Sequence, residues 1–202
     1  MQFFRPYGQD VREDKINIPI KKEEVNDRIQ IYEVNKLAFQ QENEGKLIEK
    51  IRKSDNFIPE LSIVAEVDNR IVRHILFSKI IIIGNSDYES LALAPMAVIP
   101  EFQRRGIGSE LIKKGMEKAK ELGFDSIIVI GHKEYYPKFG FQRASRWDIK
   151  CPFEVPDDVF MAIELTGKAL EGKAGTVKYT DEFSEAPNRS RAAGHLMTIV
   201  ID

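Results

Sequence analysis

The amino-terminal half of the chain changes its hydrophobic period along its length. Apolar and polar residues alternate in KINIPIKK (15–22), and this period of two predicts a strand. Between residues 25 and 39 the apolar positions recur at helical spacing, and a second, shorter helix is predicted over 44–54. Residues 61–83, LSIVAEVDNRIVRHILFSKIIII, predict a hairpin, because two β-rich runs flank the turn residues DNR.

A strand, a helix and a second strand are predicted in the middle of the chain. SLALAPMAV (90–98) is an apolar run broken by Pro95, which has no N–H for a ladder and therefore indicates a bulge or a gap in pairing. Residues 107–122 carry an apolar stripe opposite lysines and glutamates, and Gly123 is a natural helix end. SIIVI (126–130) is typical of a buried strand. The unit predicts a βαβ crossover with parallel strands.

The remaining third of the chain carries weaker signals. GHKEYYPKFGF (131–141) predicts a short helix or turn, and further strands are predicted around residues 147–150 and in VFMAIEL (159–165). Past Thr166 the glycine-rich sequence predicts little order. We therefore expect one domain over 14–166, an N-terminal extension over 1–13 that is loosely ordered, and a C-terminal tail over 167–202 that is partly ordered at most. The last fifteen residues are interpreted either as a strand exchanged with a second copy of the chain or as residues left over from the expression system.

The overall composition excludes several classes of protein. The 202 residues carry a formal net charge of −2, which provides no basic field for nucleic acid. No apolar run approaches the roughly 20 residues of a membrane span, and the first residues lack the apolar core of a signal peptide. Cys151 is the single cysteine and the three histidines are scattered, so neither a disulfide nor a metal site is expected. These features predict a soluble cytoplasmic protein.

The segment QRRGIGS (103–109) carries the strongest chemical signal. A helix N-terminus has unpaired backbone N–H groups and partial positive charge, glycines let an anion approach them closely, and arginines can grip phosphate oxygens. No Gly-Lys pair in the chain is followed by Ser or Thr, which excludes the Walker frame, and Leu111 stands where a dinucleotide fingerprint needs its third glycine. The segment is therefore predicted to hold a phosphate group of another kind of ligand.

The pattern Gln103-Arg104-Arg105-Gly106-Ile107-Gly108 resembles motif A of the GNAT superfamily, the acetyl-CoA-dependent N-acetyltransferases. The segments LALAPMAVIPEFQRRGIGSELI, GFDSIIVIGHKEYYPKFGF and PDDVFMAIEL follow one another as in the YhbS-like branch of that superfamily. The likeness covers roughly residues 16–183. It implies an α/β GNAT fold with a mixed, mostly antiparallel central sheet, flanked by helices and splayed open at the strand along which acetyl-CoA lies.

The resemblance also implies where the donor binds. Acetyl-CoA would enter as the acyl-donor cosubstrate, with its pantetheine arm lying as a pseudo-strand against Met96, Ala97 and Val98. Its pyrophosphate would rest on the glycine-arginine segment, whose predicted ligands are Gln103, Arg104, Arg105, Gly106, Ile107, Gly108 and Ser109. A backbone N–H near Val98 would polarise the thioester carbonyl.

Tyr136 is the residue that the resemblance assigns as general acid, protonating the CoA thiolate as it leaves. Tyr135 is expected to pack or to line a pocket. The general base that deprotonates the amine stays open among Glu66, Glu89, Glu101 and a chain of water molecules.

Other reactive side chains are assigned structural roles at this stage. His132 and His74 are expected to be structural histidines, and His195 lies in the tail. Cys151 has no His–acid partner near it in sequence, and the family transfers the acyl group directly, so a nucleophilic thiol is not expected. Arg73 occupies a position that is commonly glycine in the family, where it would narrow the acceptor cleft, attract an anionic substrate or point to solvent.

The sequence thus predicts an N-acetyltransferase that moves acetyl from acetyl-CoA to a primary amine by direct attack in a ternary complex. A non-catalytic acyl-CoA-binding sensor on the same fold is the alternative, and a purely structural interaction domain is a weaker one. The acceptor, a small molecule or a peptide amine, is not identified. No nucleic acid, membrane or metal is expected to take part, and a homodimer is one assembly that the resemblance leaves open.

Overall fold

A mixed sheet of nine strands forms the centre of the computed structural model, which describes residues 18–103 and 107–184. The strands are β1 Ile20–Lys22, β2 Phe57–Val67, β3 Arg70–Gly84, β4 Asp87–Val98, β5 Ser126–Ile130, β6 Gln142–Arg143, β7 Ile149–Lys150, β8 Phe160–Glu164 and β9 Gly175–Lys178. The helices are α1 Arg28–Phe39, α2 Asn43–Ile51, α3 Ile107–Glu121 and α4 Asp181–Ser184. None of the helices in the described ranges is long and apolar enough to cross a membrane.

The strand order is β1-β2-β3-β4-β5-β8-β6, and β9 pairs with both β3 and β7. Most neighbouring strands are antiparallel, whereas β4 and β5 are parallel and are joined by α3. This confirms the predicted crossover and the mixed, mostly antiparallel sheet of the GNAT fold. The first strand begins later than predicted, since β1 spans only Ile20–Lys22.

The β2–β3 hairpin turns on two residues in the left-handed region. Asp68 has φ of 49° and Asn69 has φ of 61°, as a two-residue type I′ connection requires. Aspartate and asparagine tolerate this conformation better than most residues. The turn predicted from DNR is therefore confirmed.

A bulge interrupts β4 at the proline that the sequence singles out. Ile75 of β3 pairs with Met96, and Phe77 pairs with Leu93. The two pairs are therefore three residues apart along β4 but only two residues apart along β3. The extra residue falls at Ala94–Pro95, whose peptide bond is cis. A residue without an N–H is tolerated here because a bulge leaves one residue unpaired.

Helices cover both faces of the sheet. Helix α1 packs on β3 and β4, and α3 packs on β2 and β3 from the opposite side. Close approach of α3 depends on Gly115, because a Cβ atom there would lie 2.3 Å from the ring of the buried Phe77. Odd-numbered side chains of β3 near Phe77 therefore face α3, since side chains alternate along a strand.

Strand β9 extends the sheet beyond residue 166, where the sequence analysis ends the domain. It pairs antiparallel with residues 81–84 of β3, which run past the end of β2. Its tight fit rests on Gly175, where a Cβ atom would meet the Ile83 carbonyl oxygen at 2.3 Å. The expectation of little order past Thr166 thus misses a four-residue strand, while the N-terminal extension and the last fifteen residues lie outside the described residues.

Candidate active site

The sheet opens between β4 and β5. Their parallel pairing is confined to Leu91 with Ile127 and Ala92 with Ile128. Beyond these pairs β5 stays bonded to β8 up to Ile130, whereas β4 follows β3 to Val98. The opening lies at the carboxyl ends of the parallel strands, where α/β sheets gather ligands.

The backbone of Val98 faces this opening. Val98 is opposite Arg73 of β3, and the Ile99 N–H donates to the Val72 carbonyl oxygen at 3.1 Å. In an antiparallel ladder such a bond flanks a pair that exchanges no hydrogen bonds with each other. The N–H and C=O of Val98 therefore point away from β3, toward the side where β5 has diverged.

The direction of the backbone N–H and C=O groups alternates along β4, so the three residues predicted to bind the pantetheine arm do not all face the opening. Met96 is two residues from Val98 and presents its backbone groups to the same opening. Ala97 lies between them and presents its groups to His74 of β3. Two of the three predicted residues therefore turn their backbone N–H and C=O groups toward the opening, and Ala97 turns none toward it.

Two side chains tie the β4–α3 connection, residues 99–106, to the end of the sheet. The Gln103 amide nitrogen donates to the Val98 carbonyl oxygen at 3.2 Å. The Arg73 guanidinium donates from Nη2 to the Phe102 carbonyl oxygen at 2.8 Å. Both bonds hold the segment that leads from the opening into α3.

Arg73 is fully buried, with 0% of its surface exposed, so the expectation that it points to solvent is wrong. It lies on the same face of β3 as Phe77, four residues away, and that face is covered by α3. Its guanidinium therefore lies beneath the approach to the α3 N-terminus. Its position in the sequence suggests acceptor binding and does not predict this contact, which depends on the course of the Pro100–Phe102 turn.

The α3 N-terminus supplies part of the predicted phosphate site. Helix α3 begins at Ile107, so Gly108 and Ser109 lie in its first turn, where backbone N–H groups have no intrahelical acceptor. Gly108 is buried and Ser109 is half-buried. Arg104, Arg105 and Gly106 lie outside the described residues, as does the side chain of Ile107.

Tyr136 follows β5 and begins a 3₁₀ turn over Tyr136–Phe139. Its ring is fully buried, in edge-to-face contact with Tyr135 at a centroid distance of 5.5 Å and with Phe141 at 5.3 Å. Gly140 ends the turn with φ of 96°, a left-handed conformation that favours glycine. Because β4 and β5 are parallel, Val98, the last residue of β4, and Tyr136, six residues after β5, belong to the same edge of the sheet.

The Tyr136 hydroxyl has no hydrogen-bond partner within the described ranges, although it is closed to solvent. A buried hydroxyl without a partner is costly to the fold, and such groups often mark a site where a ligand binds. Burial raises the pKa of the Tyr136 hydroxyl well above its ordinary value of 10, and the neighbouring Tyr135 raises it further. Tyr136 is therefore protonated at neutral pH.

The three carboxylates weighed as general base lie at different places. Glu89 is nine residues before Val98 on β4, about 30 Å away at the rise of a strand, which removes it from this edge. Glu66 of β2 is in an ion pair with Lys21 at 3.2 Å. Glu101 follows Val98 by three residues, is exposed, and faces Arg70 at 4.0 Å.

His74 belongs to a buried hydrogen-bonded chain on the α1 face of the sheet, a feature that the sequence analysis missed. Asn35 Nδ2 lies 3.3 Å from His74 Nδ1 and also donates to the Ile31 carbonyl oxygen, so Nδ1 is an acceptor. His74 Nε2 then carries the proton and donates to Ser62 Oγ at 2.9 Å. This polarity is the reverse of the one that activates a catalytic serine.

The chain continues to a buried ion pair. Ser62 Oγ donates to Glu23, and Arg52 donates to both oxygens of the Glu23 carboxylate at 2.8 Å. Burial, together with the smaller effect of the Arg52 charge, lowers the pKa of His74 to about 3, so His74 is neutral. These groups join β2, β3, α1 and the end of α2, in agreement with a structural role for His74.

The remaining candidates carry little chemistry. Burial raises the pKa of the Cys151 thiol to about 11, so the nucleophilic thiolate is scarce at neutral pH. His132 is exposed, and its carbonyl oxygen accepts the Tyr135 N–H at 3.0 Å. Within residues 18–103 and 107–184, no group of three or more His, Cys, Asp or Glu side chains is placed to hold a metal ion.

Relatives of this chain include two Escherichia coli proteins. The uncharacterized N-acetyltransferase YjhQ of strain K12 is 34% identical over 135 residues, which are 66% of this chain and 75% of YjhQ. The uncharacterized N-acetyltransferase YhbS of the same strain is 25% identical over 147 residues, 73% of this chain and 87% of YhbS.

Solved structures agree with the fold. The crystal structure of Escherichia coli YhbS in complex with CoA superposes with a TM-score of 0.78 at 25% identity, covering 83% of this chain and 92% of YhbS. A GNAT family acetyltransferase from Brucella melitensis in complex with acetyl-CoA gives a TM-score of 0.68 at 27% identity, covering 82% and 97%. The acetyltransferase (GNAT) family pattern itself matches residues 28–141, more than half of the chain, and the protein therefore belongs to the GNAT family of acetyltransferases.

Proposed function

We propose that the protein transfers acetyl from acetyl-CoA to a primary amine by direct attack of the amine on the thioester. The observation that carries the proposal is the opening between β4 and β5, where the Val98 backbone points away from β3 and where the segment after β5 carries Tyr136, whose buried hydroxyl has no partner in the described ranges. CoA and acetyl-CoA complexes of two related folds support acetyl-CoA as the donor.

The donor is held mainly by backbone groups. The amides of the pantetheine arm pair with Met96 and Val98, whose N–H and C=O groups face the opening. The pyrophosphate rests on the first turn of α3, where Gly108 and Ser109 lie, and the predicted ligands Arg104, Arg105 and Gly106 directly precede that turn. The Val98 N–H polarises the thioester carbonyl and stabilises the oxyanion that forms when the amine attacks.

Tyr136 supplies the proton for the leaving thiolate. Its hydroxyl is closed to solvent, so a proton that leaves it must pass to a group bound against it. Burial raises the pKa of the Tyr136 hydroxyl, so the hydroxyl keeps its proton until a basic group such as the leaving thiolate lies against it. Glu66, Glu101 and a chain of water molecules are the routes by which the amine loses its proton.

Calorimetry with CoA and a turnover assay test this function together. We expect CoA to bind at micromolar to millimolar concentration, and acetyl-CoA to release CoA thiol faster when the right amine is added. The amine panel contains spermidine, kanamycin, peptides with a free N-terminus and peptides with an internal lysine. Native protein that fails to bind millimolar CoA would overturn the proposal. Binding without transfer to any amine would favour the non-catalytic acyl-CoA sensor.

The Tyr136→Phe substitution tests the acid. We expect kcat to fall by about 100-fold or more, because general acid catalysis contributes on the order of 10²–10⁴, while the dissociation constant of CoA changes little. The readouts are steady-state kinetics with the most active amine and calorimetry with CoA. Tyr135→Phe is the matched control, since it removes the neighbouring hydroxyl and keeps the ring. Wild-type turnover in Tyr136→Phe would remove Tyr136 from the proton transfer.

A further inference from the structure

Gly131 lies directly against the Tyr136 ring. It follows β5, and a Cβ atom built on it would lie 2.3 Å from Cε2 of Tyr136 and 2.9 Å from Cδ2. Real Cβ atoms are essentially never found this close to another heavy atom. The Gly131 φ is not positive, so alanine is compatible with the backbone conformation and the ring alone opposes it.

Neither side of this contact has room to move. The Tyr136 ring is packed edge-to-face against Tyr135 and Phe141 and is fully buried. The Gly131 backbone is anchored to the neighbouring segment, since its N–H donates to the Val159 carbonyl oxygen at 2.9 Å. A side chain at residue 131 would therefore displace the Tyr136 ring and move its hydroxyl.

We propose that Gly131 is a positioning residue that sets where the Tyr136 hydroxyl stands relative to the CoA sulfur. This rests on the proposed function of Tyr136 as proton donor. The missing side chain leaves room for the ring edge that carries Cδ2 and Cε2 against the residue that follows β5. Displacement of about 1 Å in a catalytic group can reduce turnover by about 100-fold, so a single methyl group is enough to matter.

Gly131→Ala is the direct test. We expect kcat to fall at least about tenfold, while the dissociation constant of CoA, measured by calorimetry, stays within about twofold of the native value. Gly167→Ala is the matched control, because a Cβ atom there has no neighbour within 4 Å and its φ is not positive, and we expect native kcat. Native kcat in Gly131→Ala would contradict the proposal.

A double-mutant cycle with Tyr136→Phe separates positioning from general damage. Tyr136→Phe keeps the ring and lacks the hydroxyl, so adding Gly131→Ala to it is expected to lower kcat by less than about threefold further. A residue that merely supports the structure would lower kcat by the same factor in both backgrounds, and that result would contradict the proposal. Native turnover in Tyr136→Phe overturns the proposed acid itself, whereas an impaired Tyr136→Phe with an unimpaired Gly131→Ala overturns only the role of Gly131.

Stability provides a second readout that needs no acceptor. The collision is expected to lower the melting temperature of Gly131→Ala by about 3–10 °C, as overpacking does in proteins of this size. Once Tyr136→Ala has removed the ring, adding Gly131→Ala is expected to cause no further decrease. An equal decrease in both backgrounds would show that the methyl group of residue 131 meets something other than the Tyr136 ring and would contradict the proposal.

Discussion

The Arg73 guanidinium connects the sheet to the turn that leads into α3. It is fully buried, lies opposite Val98, and donates to the Phe102 carbonyl oxygen at 2.8 Å. A hydrogen bond from a charged donor is worth about 1.5–3 kcal/mol, more than a neutral one. One side chain near the start of β3 therefore holds the connection that carries the predicted phosphate ligands.

Replacement of Arg73 by methionine, which keeps the length of the side chain without its donors, tests this connection. We expect the dissociation constant of CoA to rise about 10-fold or more, with a smaller change in kcat at saturating acetyl-CoA, because the loop must be ordered by the ligand instead. Calorimetry and steady-state kinetics provide the two values, and thermal unfolding checks that the chain still folds.

Arg70→Met serves as the control for the loss of charge on the same strand. Arg70 is exposed and its Nη2 lies 4.0 Å from the Glu101 carboxylate, so its removal is expected to leave CoA binding unchanged. Equal CoA affinity in Arg73→Met and the native protein would show that the bond to Phe102 does not support the donor site.

At the scale of the elements, the pairing register between β3 and β4 determines which backbone groups of β4 face the opening. The bulge at Ala94–Pro95 changes the pairing by one residue between Leu93 and Met96. Because exposure of backbone groups alternates along a strand, this shift determines that Met96 and Val98, rather than Ala97, face the opening. The bulge is therefore part of the site as well as a feature of the fold.

The elements that the sequence predicts best are those with a long, regular period. Helix α3 has a clear apolar stripe, and the β2–β3 hairpin has both alternating runs and a turn that only a few residues adopt. Strand β7 lies within the strand predicted around residues 147–150. Strands β6 and β9 are two and four residues long, and their stability comes from distant partners, so no local pattern predicts them. Only the pairing with residues 81–84 of β3 makes GTVK a strand.

The same division applies to the site. Pro95 and Tyr136 could be selected from the sequence, because one is an anomaly in a strand and the other lies in a recognisable motif. Three features of the site could not be predicted: the Tyr136 hydroxyl lacks a partner in the described ranges, its ring contacts Gly131, and Arg73 donates to Phe102. Each depends on how residues separated by a turn or by a long stretch of sequence come together. These contacts are set by tertiary packing, which the local patterns of a single sequence do not predict.

At the scale of the whole molecule, the buried hydrogen-bonded chain around His74 adds specific polar contacts between helices and strands that otherwise meet through hydrophobic packing. It links α1 through Asn35, β2 through Ser62, and the end of α2 through Arg52 and Glu23. Each buried polar group in such a chain is costly when it loses its partner, so the chain favours one arrangement of helices on the sheet. His74 is neutral in this chain of hydrogen bonds, but its imidazole binds a proton near pH 6.5 once the protein unfolds.

The stability of the whole protein is therefore expected to fall on acidification below pH 6.5. The pKa of His74 is about 3 in the folded protein and about 6.5 in the unfolded chain, so between these values the unfolded chain binds the extra proton. This contribution to the free energy of unfolding is fully present above pH 6.5 and is lost progressively toward pH 3. Its slope approaches about 1.4 kcal/mol per pH unit, and denaturant unfolding between pH 7.5 and 4.5 measures it.

The histidine responsible is identified by substitution. His74→Gln removes the titrating ring and keeps hydrogen-bonding groups, so we expect it to lower stability at pH 7.5 and to flatten the decrease toward pH 4.5. His132→Gln is the control, because His132 is exposed, and it should keep the native slope. The difference between the native and His74→Gln slopes isolates His74 from the carboxylates that also titrate in this range. Identical slopes in the two proteins would mean that another group, and not the buried imidazole, makes the fold sensitive to acid.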